Sequence, residues 1–108
     1  MSNTARIREL NDAFRTTFMG GKLLLTPGVN ELAETDRTAV LTKIQGFREF
    51  DPGNDPYDEH DFVSVEHVGV TYFGKIDYYA PDMEHASEDP SDTTRTIRVL
   101  TIMRADEY

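Results

Sequence analysis

The chain has 108 residues, 38% hydrophobic and 10% aromatic, which is apolar surface for one compact core and argues against general disorder. One domain over residues 1–108 is therefore expected, and the lack of cysteine excludes disulfides, thiolate metal sites and a cysteine nucleophile. The net charge of −9 is unevenly placed: residues 51–92 hold twelve acids against Lys75 alone, while the flanking segments are each at +1.

Residues 7–18 open the chain with an amphipathic pattern. Ile7, Leu10, Phe14 and Phe18 recur at helical spacing, with Ser2 or Asn3 as the expected cap and Gly20-Gly21 as the expected stop. Lys22 to Thr26 reads as a short apolar strand, and Pro27 suits the first position of a single helical turn. Thr35 is the expected cap of a second helix of about 13 residues, with Asp36 in its first turn and Val40, Ile44 and Phe47 facing inward. The run Asp51-Pro52-Gly53-Asn54-Asp55-Pro56 forbids helix and opens a loop.

Three strands are expected in the second half. Phe62 to Glu66 is followed by a turn at His67-Val68-Gly69 and by Val70 to Tyr79, where Val70, Tyr72, Ile76 and Tyr78 share one face. Residues 81–92 have loop composition. Thr96 to Met103 is β-branched and apolar on both faces, as a central strand is. The order predicts an α+β fold: a four-stranded antiparallel sheet with two helices packed on one face.

The stretch NDPYDEHDF, residues 54–62, concentrates the candidate chemistry. Asp58 and His60 two apart, with Asp61 beside them, offer carboxylate and imidazole ligands for a divalent metal. Against this, neither an EF-hand loop nor a paired-histidine motif is present. Asn54 and Asp55 equally suit a turn that bonds its own backbone. His60, His67 and His85 all sit in hydrophilic sequence, and no serine lies in a nucleophile elbow. Direct nucleic-acid binding is disfavoured, because phosphate recognition calls for a basic face. The tyrosines Tyr72, Tyr78 and Tyr79 fit sheet packing better than base stacking, and no cofactor is expected.

NDPYDEHDF, YFGKIDYY (72–79) and RVLTIMRADEY (98–108) together resemble a bacterial domain-of-unknown-function family. That family carries N-D-P-Y-x-E-H-D-F-G, F-W-K-I-D-Y-Y and R-V-L-T-I-M-x-A-x-E-Y in this order. Val63 stands where the family has glycine, and Gly74 where it has tryptophan. The resemblance implies a small accessory protein of phages or plasmids and supplies no activity.

With no signal core at the N-terminus and no apolar run longer than Leu23-Leu24-Leu25, a cytoplasmic protein without a membrane partner is expected. The segregated charge points to a non-enzymatic acidic protein that occupies a basic, nucleic-acid-binding surface of a host defence complex, in the manner of an anti-CRISPR or antirestriction inhibitor. The residues expected to meet that partner are Asp51, Asp55, Asp58, Glu59, Asp61, Asp82, Glu84, Glu88, Asp89 and Asp92. Two rival readings are a small metal-dependent enzyme built on Asp58, His60 and Asp61, and an assembly subunit that dimerises through strand 96–103.

Overall fold

The computed structural model describes residues 3–108. Helix α1, Thr4–Thr17, starts after Asn3, whose side chain makes no capping bond; Ser2, the other expected cap, lies outside the described residues. The stop also differs from the sequence expectation. Phe18, not a glycine, takes the left-handed turn at φ 61°, and its N–H closes the helix on the Phe14 carbonyl at 2.6 Å. That conformation keeps the Phe18 side chain packed against the core as the chain leaves the helix.

Strand β1, Gly21–Leu25, follows directly. A Cβ at Gly21 would lie 2.5 Å from the Arg98 carbonyl and 2.7 Å from the Phe14 ring, so only glycine lets β1 pass under α1. Pro27 opens the single-turn helix α2, Pro27–Asn30, as its fixed φ favours. Helix α3, Glu34–Gly46, begins one residue before the predicted cap. Ala33 holds the N-cap position, and the acids Glu34 and Asp36 face the positive end of the helix dipole in place of a side-chain cap.

Strands β2 (Phe62–His67) and β3 (Val70–Tyr79) form a hairpin across Val68 and Gly69, both at positive φ, as a two-residue turn with right-handed strand twist requires. Strand β4, Ile97–Arg104, is central as expected, and a 3-10 turn at Ala105–Glu107 ends the chain. The sheet order is β1-β4-β3-β2. One correction concerns its type: β1 lies parallel to β4, so the sheet is mixed rather than antiparallel. The reason is the connection after β1. Helices α2 and α3 carry the chain over one face to the far edge, a crossover that a short hairpin cannot make.

Phe14 of α1, Val29 of α2 and Val40 and Ile44 of α3 form one core with Val63, Tyr72, Ile76, Leu100 and Ile102, which all share one sheet face. Gly74 completes that face: a Cβ there would lie 3.0 Å from Val63 and 3.1 Å from Ile44. Those two side chains occupy the volume that a larger residue at position 74 would need. On the opposite face Phe62, Phe73 and Tyr108 make edge and tilted ring contacts at 4.9 to 6.0 Å.

Strand direction decides where function can lie. β1, β2 and β4 all start at one end of the sheet, and β3 finishes there. The loops at that pole are 47–61, between α3 and β2, and 80–96, between β3 and β4. All ten predicted partner-binding acids sit in these two loops. The opposite pole holds the β2–β3 turn, α2 and the C-terminal turn. No helix among the described residues is long and apolar enough to cross a membrane.

Candidate functional site

Both polar loops are shaped by their own carboxylates. Asp51 accepts the Gly53 and Asn54 N–H groups at 2.8 and 2.9 Å, and Asn54 returns a bond to the Asp51 N–H at 2.9 Å. Asp55 is buried and accepts the His60 N–H at 3.1 Å. These bonds hold Asp58 and His60 at positive φ of 59° and 55°, a region that aspartate and histidine enter at less cost than bulkier residues. In the second loop Asp82 accepts the Glu84 and His85 N–H groups and the His85 imidazole at 2.7 Å. Those donors, the Glu84 N–H foremost, hold its carboxyl down at about 2. Asp89 accepts from Ser91, and Asp92 from Thr94, whose hydroxyl and N–H hold the Asp92 carboxyl below its usual range.

Two buried groups tie the loops to α1. The Asn11 amide donates to the Tyr78 hydroxyl at 2.7 Å and to the Glu59 carbonyl at 2.9 Å, and its oxygen accepts Arg98 Nε at 2.7 Å. Tyr78 donates to Glu59 Oε1 at 2.7 Å, and Arg98 reaches the Pro90 carbonyl at 2.6 Å. Burial, and then the bond to Glu59, push the Tyr78 hydroxyl well above the usual phenol range, so it remains a donor. Arg98 lies over the Tyr78 ring at 5.2 Å, and burial lowers its pKa from the ordinary arginine value. One tyrosine and one arginine thus fix loop 47–61 against loop 80–96.

A second cluster surrounds His60. Its ring stacks on Phe50 at 3.7 Å, with Nδ1 at 2.8 Å from Asp12 and Nε2 at 3.5 Å from Asp55. Arg15 of α1 lies over the same Phe50 ring at 5.2 Å and reaches Asp12 at 3.1 Å. His60 is therefore packed against an aromatic ring between two carboxylates, not in the hydrophilic setting its sequence neighbours suggest. Asp12, Arg15, Phe50 and His60 border a cavity of about 240 Å³.

The predicted metal set is regrouped. Potential ligand atoms of Asp55, Asp58 and His60 lie within 4.8 Å of one another; Asp61 is not among them. Burial foremost, with Glu59, Asp55 and Asp77, raises the Asp61 pKa above the ordinary aspartate value. A second trio, Asp82, Glu84 and His85, is fully exposed. In the first trio Asp58 is held by Arg8 at 2.7 Å, Asp55 accepts the His60 N–H at 3.1 Å, and the His60 ring meets Asp12 at 2.8 Å. Side chains of the first trio thus already engage the loop backbone and Arg8 and Asp12 of α1.

The predicted partner-binding acids converge on one pole but differ in freedom. Asp51, Asp82, Asp89 and Asp92 brace turns, Asp55 is buried, and Glu59 anchors Tyr78. Asp58 and Glu88 project at the surface, each paired with an arginine, Arg8 and Arg95, at 2.7 Å. Glu84 is exposed. Asn11, Asp12, Arg15, Phe50 and Arg98 carry much of the site and were not singled out from sequence. A signal existed for two of them: Asn11 and Arg15 fall four and eight residues after Ile7, inside the buried stripe of α1.

The fold and site define a small α+β domain with an acidic, turn-built pole. Within that class the chain belongs to a family described as proteins of unknown function (DUF3768), whose model matches residues 25–107. No curated protein and no solved structure matches it.

Proposed function

We propose that this is a non-enzymatic binding protein whose acidic pole docks on a basic, nucleic-acid-binding surface of another protein. The observation that carries this reading is topological. Ten of the twelve acids of residues 51–92 are delivered to one end of the sheet by two loops that a partly buried Asn11–Tyr78–Glu59–Arg98 network locks together. A rigid anionic surface competes well for a site that evolved to bind phosphates. Its side chains are already ordered, so less conformational freedom is lost on binding. The narrower partner, a restriction or CRISPR-type defence complex, rests on the resemblance to mobile-element accessory proteins.

The bonds within the loops bear on both this reading and the metal-enzyme alternative. A carboxylate that accepts backbone N–H groups keeps its negative charge and gains a fixed position, which favours electrostatic docking. The same bonds engage some of the oxygens an ion would draw on: Asp55 Oδ1 accepts the His60 N–H, and Asp82 Oδ1 the Glu84 N–H. Substituting Asp58→Asn, Asp61→Asn, Glu84→Gln and Glu88→Gln together removes four charges without touching the turn-bracing acids. Partner binding is expected to fall at least about tenfold at low salt, since close charge pairs at an interface contribute more than 1 kcal/mol each. Unchanged affinity in this quadruple variant, with its melting transition still cooperative, contradicts the proposal. A stoichiometric metal in the native protein, lost on Asp55→Asn, favours the enzyme reading instead.

A further inference from the structure

The cavity beside His60 is chemically unlike the pole around it. Its walls include Arg15 and Arg48, the only two arginines that border it, against the single carboxylate of Asp12. With His60 neutral the lining is at +1, inside a molecule of −9. The cations are also under-compensated. Arg15 is almost wholly buried; it reaches Asp12 at 3.1 Å and the Phe47 carbonyl only at 3.3 Å, and among the described residues its buried Nε has no partner. An anion entering the cavity offsets part of the cost of that desolvated charge. Arg48 is exposed and, among the described residues, engages no carboxylate. Phe47 and Phe50 supply apolar walls, with Phe50 held rigid between the Arg15 guanidinium and the His60 ring.

We infer that this cavity is a binding site for a small monocarboxylate with a flat apolar body. The volume of about 240 Å³ corresponds to roughly eight waters, room for a single ring and its carboxyl group. Arg48 meets the carboxylate, Gln45 in the lining offers its amide, and the ring lies against Phe47 and the edge of Phe50, whose faces the Arg15 guanidinium and the His60 ring cover. A phosphate monoester carries about −1.5 to −2 charge at neutral pH. Asp12, which borders the same cavity, repels that second charge, so the charge balance selects a monoanion. This site stands independently of the docking surface, because none of the four acids neutralised in the quadruple variant borders it.

Benzoate is the direct probe, followed by NMR titration of the full chain at pH 7, with benzyl alcohol and phenyl phosphate as comparators. Saturable shifts of the Phe50 and His60 ring signals are expected, with a Kd below about 1 mM, as befits a ligand of this size. Arg48→Gln weakens benzoate at least about fivefold, and Arg48→Lys restores part of the loss. Both variants alter an exposed side chain, so their spectra report binding and not folding. Benzyl alcohol binds at least about tenfold more weakly than benzoate. Shifts that do not saturate, equal affinity in Arg48→Gln, or tighter binding of phenyl phosphate than of benzoate overturns the assignment.

Discussion

Asn11 shows how much a single buried amide can organise. It is fully buried and satisfies Arg98, Tyr78 and the Glu59 carbonyl at once. Asn11→Leu leaves a buried guanidinium without its Nε acceptor, and urea unfolding should show a loss of about 3 kcal/mol. A loss under about 1 kcal/mol means the network is not what joins the loops. Asp61 acts in the opposite sense. Its folded pKa lies above the ordinary 3.8, so the fold favours the protonated acid. The stability this contributes is present below the unfolded pKa and is lost as pH rises through the folded value. Asp61→Asn should therefore melt higher than the wild type at pH 7. The gain is about 2 °C, allowing for solvent screening of a half-buried group. The difference should close as pH falls below the ordinary aspartate range. A gap that widens toward low pH would reverse the sign of the assignment.

At the scale of elements, the close approach of α3 to the sheet rests on Gly74. Adding one methyl there brings it to 3.0 Å from Val63 and 3.1 Å from Ile44. Gly74→Ala should cost about 1–2 kcal/mol by overpacking, despite the entropic gain over glycine. With Ile44→Ala in the same chain, the combined cost should be smaller than the sum of the two single costs. Strict additivity would show that the methyl finds room elsewhere. The elements themselves were legible because their periodicities are clean: β3 has its predicted limits at Val70 and Tyr79, and α3 its predicted length of 13 residues. Helix ends were less legible. Phe18, packed against the core, takes the left-handed stop expected of Gly20, and Ala33 holds the cap position expected of Thr35 with Glu34 and Asp36 in the first turn instead of a side-chain cap. The parallel pairing of β1 was not legible either. Five residues of strand carry no sign of direction, which the α2–α3 crossover decides. Dimerisation through strand 96–103 falls for the same kind of reason: β4 is interior, with both edges paired to β1 and β3.

For the whole molecule, sequence revealed the charge segregation but not its geometry. That both acidic loops reach one pole follows from β1, β2 and β4 sharing a direction, a tertiary fact. The site around His60 was invisible for a related reason. Asp12 and His60 are 48 positions apart and meet only because α1 packs beside the loop after α3. Two effects oppose each other at the pole. Arg8 and Arg95 neutralise part of the field at Asp58 and Glu88, whereas the Glu84 N–H foremost at Asp82, and the Thr94 hydroxyl foremost at Asp92, hold these carboxyls below the ordinary aspartate range. Exposed pairs are weak and screened by salt, so the arginines lower the field without abolishing it. The most direct measurement is capture of a nucleic-acid-binding protein from a bacterial lysate on the immobilised chain at low salt, with duplex DNA added as competitor and the quadruple charge variant in parallel. Docking through the acidic pole predicts a partner retained by the wild type, displaced by DNA, and lost both at high salt and in the variant. A partner that the variant retains equally, and that DNA does not displace, contradicts it.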